Sequence, residues 1–376
     1  MKADAMPKIE ERVEPDFEDF QNPRKVFSHI DRVFELKTTG DTRPVHMTIG
    51  FTNYCNHKCP WCYINWNQAG RAGDAGQRAV NADDRLIEAI AEARAIGLQA
   101  VTIVGDGEPT LHKKFIPYLE RLAALGLDIG IFTNLSTRTP AVIEALAEYC
   151  FFVRGSIDAA SAEVHRKSHG GDDFDVVIAN LGRLLAYRAA SRRPVVGVQF
   201  VTNQWNYRQL PEAARFYREL GVDYMTIKPA YKNELNPAHP ENEAPLDEVF
   251  GFMEQARAES RGGFKVYAKY PQFREVLQFK TNDGRYYRKC HATPLSPYLD
   301  EDGNVEMCGN LKGRGFTMGN IYKNSFQEIW RSPQRRDCLD RIDLRKCPSG
   351  CKLDPLNKAL WDAFNPDEDM VHPNFI

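Results

Sequence analysis

The chain has 376 residues, of which 43% are apolar and 27% are charged, the balance of an ordinary globular protein. Its 49 basic and 51 acidic side chains nearly cancel, so the overall charge does not point to nucleic acid or an anionic membrane as a partner. No run approaches the roughly 18 consecutive apolar residues of a membrane-spanning helix, and the polar start lacks the apolar segment of a signal peptide. We therefore expect a cytoplasmic protein with one large domain and a smaller one.

The first part of the chain alternates between two patterns. After a polar extension over residues 1–44, short runs rich in Val, Ile, Phe and Thr alternate with longer stretches of helical periodicity. The predicted strands are His46–Thr52, Ala100–Val104, Asp128–Thr133, Phe151–Ser156, Val195–Thr202 and Tyr224–Lys228. The predicted helices between them are Asp83–Gly97, Lys114–Gly126, Pro140–Tyr149, Phe174–Ala190 and Pro211–Gly221. The alternation predicts an α/β fold, a partial (β/α)6 TIM-like barrel over residues 45–235, with its chemistry at the carboxyl ends of the strands.

The rest of the chain changes character. Residues 236–285 begin with a polar stretch that contains prolines and continue into a predicted helix, Leu246–Arg261, so they are interpreted as a linker and helical segment. Residues 286–376 hold five of the nine cysteines and a turn, Asp302–Asn304, that is typical of a hairpin. They are predicted to form a small α+β cysteine-bearing domain with a C-terminal tail.

Three cysteines follow the first predicted strand at close spacing. Cys55, Cys59 and Cys62 form a C-x3-C-x2-C array, and in a reducing compartment such spacing indicates metal or cluster binding rather than disulfides. Three thiolates leave one iron of a cubane 4Fe–4S cluster without a protein ligand, whereas a fully ligated cluster takes four cysteines. The alternative is a zinc site with His57 as the fourth ligand, although structural zinc sites more often use paired Cys or His ligands.

The array, with Trp61 directly before its third cysteine, resembles the defining motif of the radical S-adenosylmethionine (radical SAM) superfamily. The resemblance implies a 4Fe–4S cluster whose open iron is chelated by the amino and carboxylate groups of S-adenosylmethionine. It also implies that one electron from the cluster cleaves this cofactor to methionine and a 5′-deoxyadenosyl radical, which abstracts a hydrogen atom from a substrate. An electron donor such as flavodoxin or ferredoxin is expected as a partner.

Other segments at strand ends resemble the cofactor contacts of that superfamily. Gly105–Pro109 resembles its Gly-Gly-Glu-Pro element, with Asp106 in place of the usual second glycine, and Glu108 would accept from the cofactor's amino group. Ser156-Ile157-Asp158 resembles a Ser-x-Asp segment that contacts the ribose and carboxylate, but it also suits the start of a helix. Gln199 and Lys228 are further candidates, although buried structural roles fit these two residues as well. The predicted cofactor contacts are Trp61, Tyr63, Gly105, Asp106, Gly107, Glu108, Pro109, Ser156, Asp158, Gln199 and Lys228.

Four later cysteines form a second set. Cys290 and Cys308 flank the predicted hairpin, and Cys347 and Cys351 are a close pair, so together they supply ligands for a complete cluster or a closed zinc site. The set resembles the twitch subdomain, a short form of the SPASM domain, which implies one auxiliary 4Fe–4S cluster. Nearby stretches similar to those of that domain are Met318–Ile321 and Phe326–Trp330. Two features depart from it: the final pair is C-x3-C where C-x2-C is common, and Cys338 is an extra thiol.

Several reactions are open to a radical formed beside an auxiliary cluster. Because such a cluster can take an electron, domain analogy predicts dehydrogenation of a carbohydrate-like or aminocyclitol small molecule. One alternative is a sugar epimerase in which Cys338 returns a hydrogen atom, although an unexpected cluster ligand or a plain buried thiol also suits this residue. A peptide-modifying enzyme is another, but the short polar stretch before the first strand makes a complete peptide-recognition domain unexpected. A non-catalytic iron–sulfur or zinc protein would leave the open three-cysteine site unexplained.

Overall fold

The computed structural model describes residues 22–62, 83–188, 193–230, 240–279, 285–347 and 350–365. The strands are β1 (His46–Gly50), β2 (Ala100–Val104), β3 (Asp128–Thr133), β4 (Phe152–Ser156), β5 (Val195–Thr202), β6 (Tyr224–Pro229), β7 (Lys265–Ala268), β8 (Tyr298–Leu299), β9 (Asn304–Glu306) and β10 (Thr317–Asn320). They form one sheet in the order β10-β9-β8-β1-β2-β3-β4-β5-β6-β7.

Helices follow most strands and cover the outside of the sheet. They are α1 (Ile30–Thr39), α2 (Arg85–Ala95), α3 (Phe115–Ala124), α4 (Pro140–Tyr149), α5 (Ala162–His169), α6 (Phe174–Tyr187), α7 (Leu210–Leu220), α8 (Leu246–Arg257), α9 (Tyr270–Phe273), α10 (Phe326–Arg331), α11 (Pro333–Asp340) and α12 (Asp354–Phe364). In the described residues, no helix combines the length and the apolar character needed to cross a membrane.

The first seven strands run parallel, each hydrogen-bonded to the next. Side chains alternate between the two faces of each strand: on β4, Val153 is buried while its neighbours Phe152 and Arg154 are only half-buried on the inner face. The α/β class and the partial barrel are therefore confirmed. Strand β7 was not predicted, because four residues are too few to show an alternating pattern.

The cysteine-bearing C-terminal segment continues the same sheet. Strand β8 pairs in parallel with β1, and β9 and β10 follow as antiparallel strands. The predicted hairpin is confirmed, since Asp302 and Gly303 lie in the turn between β8 and β9 and the amide of Asp302 donates to the carboxylate of Asp300 at 3.0 Å. Because parallel strands end at the same edge, the residues after β8 lie beside the loops that follow β1 and β2.

Part of the predicted N-terminal extension is folded. Residues 22–44 contain a 3₁₀ helix, Pro23–His29, and then α1. A small apolar cluster joins Val33 and Leu36 of α1 to Leu360 of α12, so the start of the described chain packs on its end. The pattern of polar residues hid this helix, since its apolar stripe is narrow and its packing partners lie far along the chain.

Gly197 of β5 faces an aromatic ring inside the barrel. A Cβ atom at this position would lie 2.0 Å from Cζ of Tyr224, whose hydroxyl accepts from Arg154 at 2.9 Å. We expect Gly197→Ala to lower the free energy of unfolding by about 2 to 3 kcal/mol, because the buried, hydrogen-bonded ring has no room to move. Urea or thermal denaturation measures this loss.

Gly182→Ala is the matched control for that substitution. Gly182 lies within α6, and nothing lies within 4 Å of its Cβ position. Alanine there should leave stability unchanged or raise it by up to about 1 kcal/mol, because it restricts the unfolded chain and favours the helix. Equal losses in the two variants would contradict the packing argument for β5.

Candidate functional site

The loop after β1 carries Cys55, Cys59 and Cys62, all half-buried and none in a disulfide. Main-chain hydrogen bonds hold its shape: the amide of Cys62 donates to the carbonyl of Cys59 at 3.0 Å, and the amide of Lys58 donates to the carbonyl of His169 at 2.9 Å. The three thiols therefore lie together at the carboxyl end of β1, the edge at which the sequence predicted the chemistry.

His169, the last residue of α5, contacts one of these sulfurs. Its Nδ1 lies 3.3 Å from Sγ of Cys59, and its Nε2 lies 3.3 Å from Oδ2 of Asp158. Burial disfavours a charged imidazole, but the neighbouring thiolate and carboxylate raise the pKa of His169 well above its usual value. Burial alone would also raise the pKa of Cys59, yet His169 and His57 lower it to about 7. The surroundings of Cys59 thus favour the thiolate, which is the metal-binding form.

The spacing of the ligand atoms separates a cluster from a single zinc ion. Among the described residues, the groups of three or more His, Cys, Asp or Glu with ligand atoms within 4.8 Å of one another are His57–Cys59–His169 and His57–His165–Asp173. Neither group holds more than one cysteine. Sulfurs bound at about 2.3 Å to one tetrahedral zinc would lie only about 3.8 Å apart. Both cysteine sets are more open than this, and three thiols around a wider space fit a cluster with one open iron.

The loop after β2, Gly105–Pro109, packs directly on the cysteine loop. The amide of Glu108 donates to the carbonyl oxygen of Tyr54 at 2.7 Å. A Cβ atom at Gly107 would lie 2.1 Å from the same oxygen, so this close approach requires glycine. The buried Glu108 carboxylate accepts from the Thr133 hydroxyl at 2.6 Å and from a backbone amide after β3 at 2.7 Å. Its Oε2 has one donor among the described residues and can accept another, as the predicted contact with an amino group requires.

Asp106, the residue that departs from glycine in this loop, is buried in an ion pair. Nζ of Lys312 lies 2.7 Å from Oδ2 of Asp106 and 2.7 Å from Oε1 of Glu301. Glu301 follows β8, and Lys312 lies shortly after Cys308 in the sequence. The ammonium group of Lys312 therefore joins Gly105–Pro109, the predicted cofactor loop, to the segment that carries the second cysteine set.

Other predicted cofactor contacts lie at the same end of the barrel. Ser156 is in register with Gln199 on the neighbouring strand β5, and Lys228 lies near the end of β6. Trp61 packs on Trp205, with ring centroids 4.1 Å apart. The structure brings these residues to one edge, and their individual roles toward the cofactor stay predictions.

Asp158 is engaged within the protein. Its carboxylate accepts from the amide of Val201 at 2.7 Å and faces the imidazole of His169. These contacts orient the histidine that reaches Cys59, which is a positioning role besides the predicted contact with the cofactor. Tyr63, another predicted contact, lies outside the described residues.

The second cysteine set converges from separate parts of the C-terminal segment. Cys290 and Cys308 are buried, and Cys347 and Cys351 are half-buried. Burial, together with the neighbouring thiols Cys290 and Cys351, raises the pKa of Cys308 to about 12. Crowded thiols of this kind become thiolates readily only when a metal neutralises them. Four cysteines with such mutual influence fit an auxiliary 4Fe–4S cluster.

Asparagine side chains and the end of the barrel support this set. Asn357 donates to Sγ of Cys290 at 3.5 Å, and Asn310 donates to Sγ of Cys351 at 3.6 Å. The amide of Gly350 donates at 2.9 Å to the carboxylate of Glu275, a residue that follows β7 in the chain. The second set therefore contacts residues beyond both β9 and β7, on the two sides of the open barrel.

Cys338 lies apart from both sets. It is fully buried on α11, where its sulfur lies 3.6 Å from the guanidinium of Arg341 and 3.7 Å from the carbonyl of Thr317. Among the described residues, the hydrogen-bond partners of this sulfur do not include any of the auxiliary cysteines. A hydrogen donor must touch the substrate, and these surroundings are those of a packed core thiol.

Three residues of this region escaped the sequence predictions: His169, Trp205 and Lys312. Each is isolated in the sequence and meets its partner only across the fold. The one available signal was the spacing of His165 and His169, which places two imidazoles one turn apart on the same face of α5.

The shared lysine predicts a pH dependence through Glu301. Burial, with the Asp106 carboxylate beside it, raises the pKa of Glu301 to about 8, from an ordinary value of 4.5. Because the folded pKa is the higher one, the stability tied to this group is complete below about pH 4.5 and is lost as the pH rises toward 8. Glu301→Gln stays neutral, so its melting temperature relative to the native protein should rise by at least about 3 °C between about pH 6 and about pH 9.

Glu120→Gln removes an exposed carboxylate of α3 and serves as the control. Its melting temperature should follow that of the native protein across the same pH range, since the substitution changes only a surface position. A constant difference between Glu301→Gln and the native protein would show that Glu301 does not titrate in this window.

Comparison with known proteins agrees with this geometry. Residues 49–188 match the radical SAM superfamily, and residues 290–352 match the iron–sulfur cluster-binding domain named SPASM. A tungsten-containing aldehyde ferredoxin oxidoreductase cofactor-modifying protein of Pyrococcus furiosus is 25% identical over 302 residues, 76% of this chain and 81% of the relative. The antilisterial bacteriocin subtilosin biosynthesis protein AlbA of Bacillus subtilis is 21% identical over 337 residues, 86% of this chain and 70% of the relative.

A solved structure shares the fold. SuiB of Streptococcus suis, bound to the precursor peptide SuiA, superposes with a TM-score of 0.65 at 16% identity, over 93% of this chain and 80% of SuiB. The two matched domains each contain one of the cysteine sets described above. The chain is therefore an enzyme of the radical SAM superfamily, in which a domain that takes S-adenosylmethionine on a 4Fe–4S cluster is followed by a SPASM domain for auxiliary iron–sulfur binding.

Proposed function

We propose that this enzyme removes a hydrogen atom from a small-molecule substrate and oxidises it, with the electron acceptor held by the auxiliary cysteines. Cys55, Cys59 and Cys62 would hold the cluster that binds S-adenosylmethionine, and the second set would hold the auxiliary cluster. When bound, these groups supply reductive cleavage of the cofactor, a hydrogen-abstracting radical and an electron acceptor.

The observation that carries this proposal is the ion pair between the two cysteine-bearing parts. Lys312 lies 2.7 Å from Asp106 in the cofactor loop, and it belongs to the loop that begins at Cys308. Transfer of an electron from a substrate radical requires the acceptor to be close to the site of hydrogen abstraction. The direct contact between the cofactor loop and the auxiliary loop supports that closeness.

The side chains around the site have defined tasks in this proposal. Glu108 would accept from the amino group of the cofactor through Oε2, while Thr133 keeps its other oxygen in place. Trp61 and Trp205, which pack edge to face, would shield the cysteine loop from water, which protects a reactive radical from side reactions. His169 holds the thiolate of Cys59.

Three proteins reconstituted without oxygen test the proposal. The native enzyme should hold about eight irons and form 5′-deoxyadenosine after reduction. A Cys55/Cys59/Cys62→Ala variant should keep about four irons and form none, because the cofactor-binding cluster is lost. A Cys308/Cys351→Ala variant should keep about four irons and still form 5′-deoxyadenosine, but it should release no oxidised product.

Cys150→Ala is the control for these counts. Cys150 is a buried thiol at the end of α4, away from both sets, so the variant should keep about eight irons and native activity. Zinc in place of iron, or full product formation without the auxiliary cysteines, would rule out the proposed oxidation.

The contact between His169 and Cys59 predicts a shift in redox potential. Hydrogen bonds to cluster sulfurs stabilise the reduced state, so His169→Phe should make the potential of the cofactor-binding cluster more negative. His165→Gln is the control, because His165 stacks on His169 at 4.8 Å but bonds to Asp173 rather than to a sulfur. A redox titration followed by electron paramagnetic resonance measures both, and equal potentials in the two variants would exclude the role of His169.

A second candidate function is the modification of a peptide. It is favoured by the similarity to AlbA, which acts in the biosynthesis of a bacteriocin, and by the fold shared with SuiB in complex with a precursor peptide. The two candidates differ in their products, since a peptide maturase changes the mass or the cross-links of a peptide. Mass spectrometry of reactions with small-molecule and peptide pools separates them.

A further inference from the structure

The inside of the barrel presents three cations from neighbouring strands. Arg154 lies on the inner face of β4, Lys228 lies near the end of β6, and Lys269 directly follows β7. The guanidinium of Arg154 lies 4.7 Å above the ring of Phe132 and donates from Nε to the Tyr224 hydroxyl at 2.9 Å. All three cations are half-buried. The barrel interior is thus positively charged along one side.

Strand register places two of these cations at one level. Ile227 of β6 is in register with Ala268 of β7, so Lys228 and Lys269 are the next residues on adjacent strands. The amide of Lys269 also donates to the carbonyl of Ile227 at 3.0 Å. Arg154 pairs in register with Gly197, deeper in the barrel. The three positive charges therefore follow the barrel wall inward from the edge where the cofactor loop lies.

These three cations form no ion pair with the residues that the structure describes. Among the described residues, no carboxylate lies within ion-pair distance of Arg154, Lys228 or Lys269. Asp158 attracts Lys228, but its carboxylate is already held by the amide of Val201 and the imidazole of His169. The buried arginines in the described part of the chain, Arg32 and Arg335, are by contrast paired with Asp31 and Asp41. Half-buried like charges without partners are unfavourable, and an anion between them removes that cost.

We propose that the barrel interior binds a small substrate with at least two negative charges, as carboxylates or phosphates, through Arg154 and Lys269. The inference rests on the proposed function, since the reacting substrate lies inside the barrel at the cofactor edge. The single carboxylate of S-adenosylmethionine can engage one of the three cations, and Lys228 is itself one of the predicted cofactor contacts. Arg154 and Lys269 then remain for the substrate.

This assignment narrows the substrate class. A positively charged aminocyclitol would be repelled by the three cations, whereas a sugar acid, a sugar phosphate or another polyanion would be attracted. Arg154 suits a planar carboxylate or a phosphate because its guanidinium presents parallel donors, and Lys269 adds a mobile point charge. Arg154 and Lys269 would recognise a carboxylate and a phosphate in the same way, so ligands of both kinds are tested.

Calorimetric titration of the reconstituted enzyme, saturated with S-adenosylmethionine, tests the proposal. The probes are tricarballylate for carboxylates, β-glycerophosphate for phosphates, and 2-deoxystreptamine for a cationic aminocyclitol. At least one anion should bind saturably and more tightly than 2-deoxystreptamine. In an Arg154→Gln/Lys269→Gln variant its affinity should fall at least about tenfold, while Arg154→Lys with Lys269→Arg should keep most of it.

Lys113→Gln/Lys323→Gln is the control, because it removes the same total charge from exposed positions. Its anion affinity should stay within about twofold of the native value. Absence of saturable anion binding, tighter binding of 2-deoxystreptamine, or an equal loss in the control would overturn the proposal. A loss of S-adenosylmethionine affinity in the Arg154/Lys269 variant would overturn it too, by assigning these cations to the cofactor.

The test of anion binding can fail or succeed independently of the test of the proposed oxidation. Anion binding is measured without turnover, so it stands even where no oxidised product forms. An enzyme that forms 5′-deoxyadenosine and oxidised product but binds no anion would refute only the charge of the substrate.

Discussion

The parallel pairing of β8 with β1 is the contact on which both cysteine sites depend. It consists of two register pairs, Thr48↔Tyr298 and Ile49↔Leu299, yet it sets where the C-terminal segment leaves the sheet. Because β1 leads into the first cysteine loop, a strand beside it must end next to that loop. Glu301 and the loop that carries Lys312 are thereby brought to Asp106, and the barrel and the auxiliary segment share one sheet rather than a flexible joint.

Charge is distributed unevenly around this edge. On the side of β8 and β2, buried carboxylates surround one lysine, and protonation of Glu301 keeps the group close to neutral. Across the barrel, on β4 and β6 and just after β7, the charges of Arg154, Lys228 and Lys269 are positive and have no ion-pair partner among the described residues. The anionic substrate proposed above would be attracted to the second side, whereas the nearly neutral first side would exert little pull on it. This asymmetry would orient such a substrate in the barrel.

The features of this arrangement that depend on residues close together in the sequence could be predicted from the sequence alone. The barrel strands and helices follow local periodicity, and the first cysteine loop has a close, fixed spacing, so both were visible without a structure. Strand β8 has only two residues, and α1 packs through a narrow stripe on α12, so neither leaves a local pattern. The roles of Lys312 and His169 depend on contacts with residues far away in the sequence, and no spacing within the sequence reveals such contacts.

Asp106 shows how a departure from a family motif becomes tolerable. Glycine at this position needs no partner, whereas a buried carboxylate without one costs several kcal/mol. Lys312 supplies that partner, and because Glu301 is protonated, the charges of Asp106 and Lys312 balance each other. These two residues therefore behave as one unit, and a change at either of them alone leaves a buried charge unbalanced. That unit exists only where the auxiliary segment is docked on the barrel, so the residue that replaces glycine in the cofactor loop also makes that loop depend on the auxiliary domain.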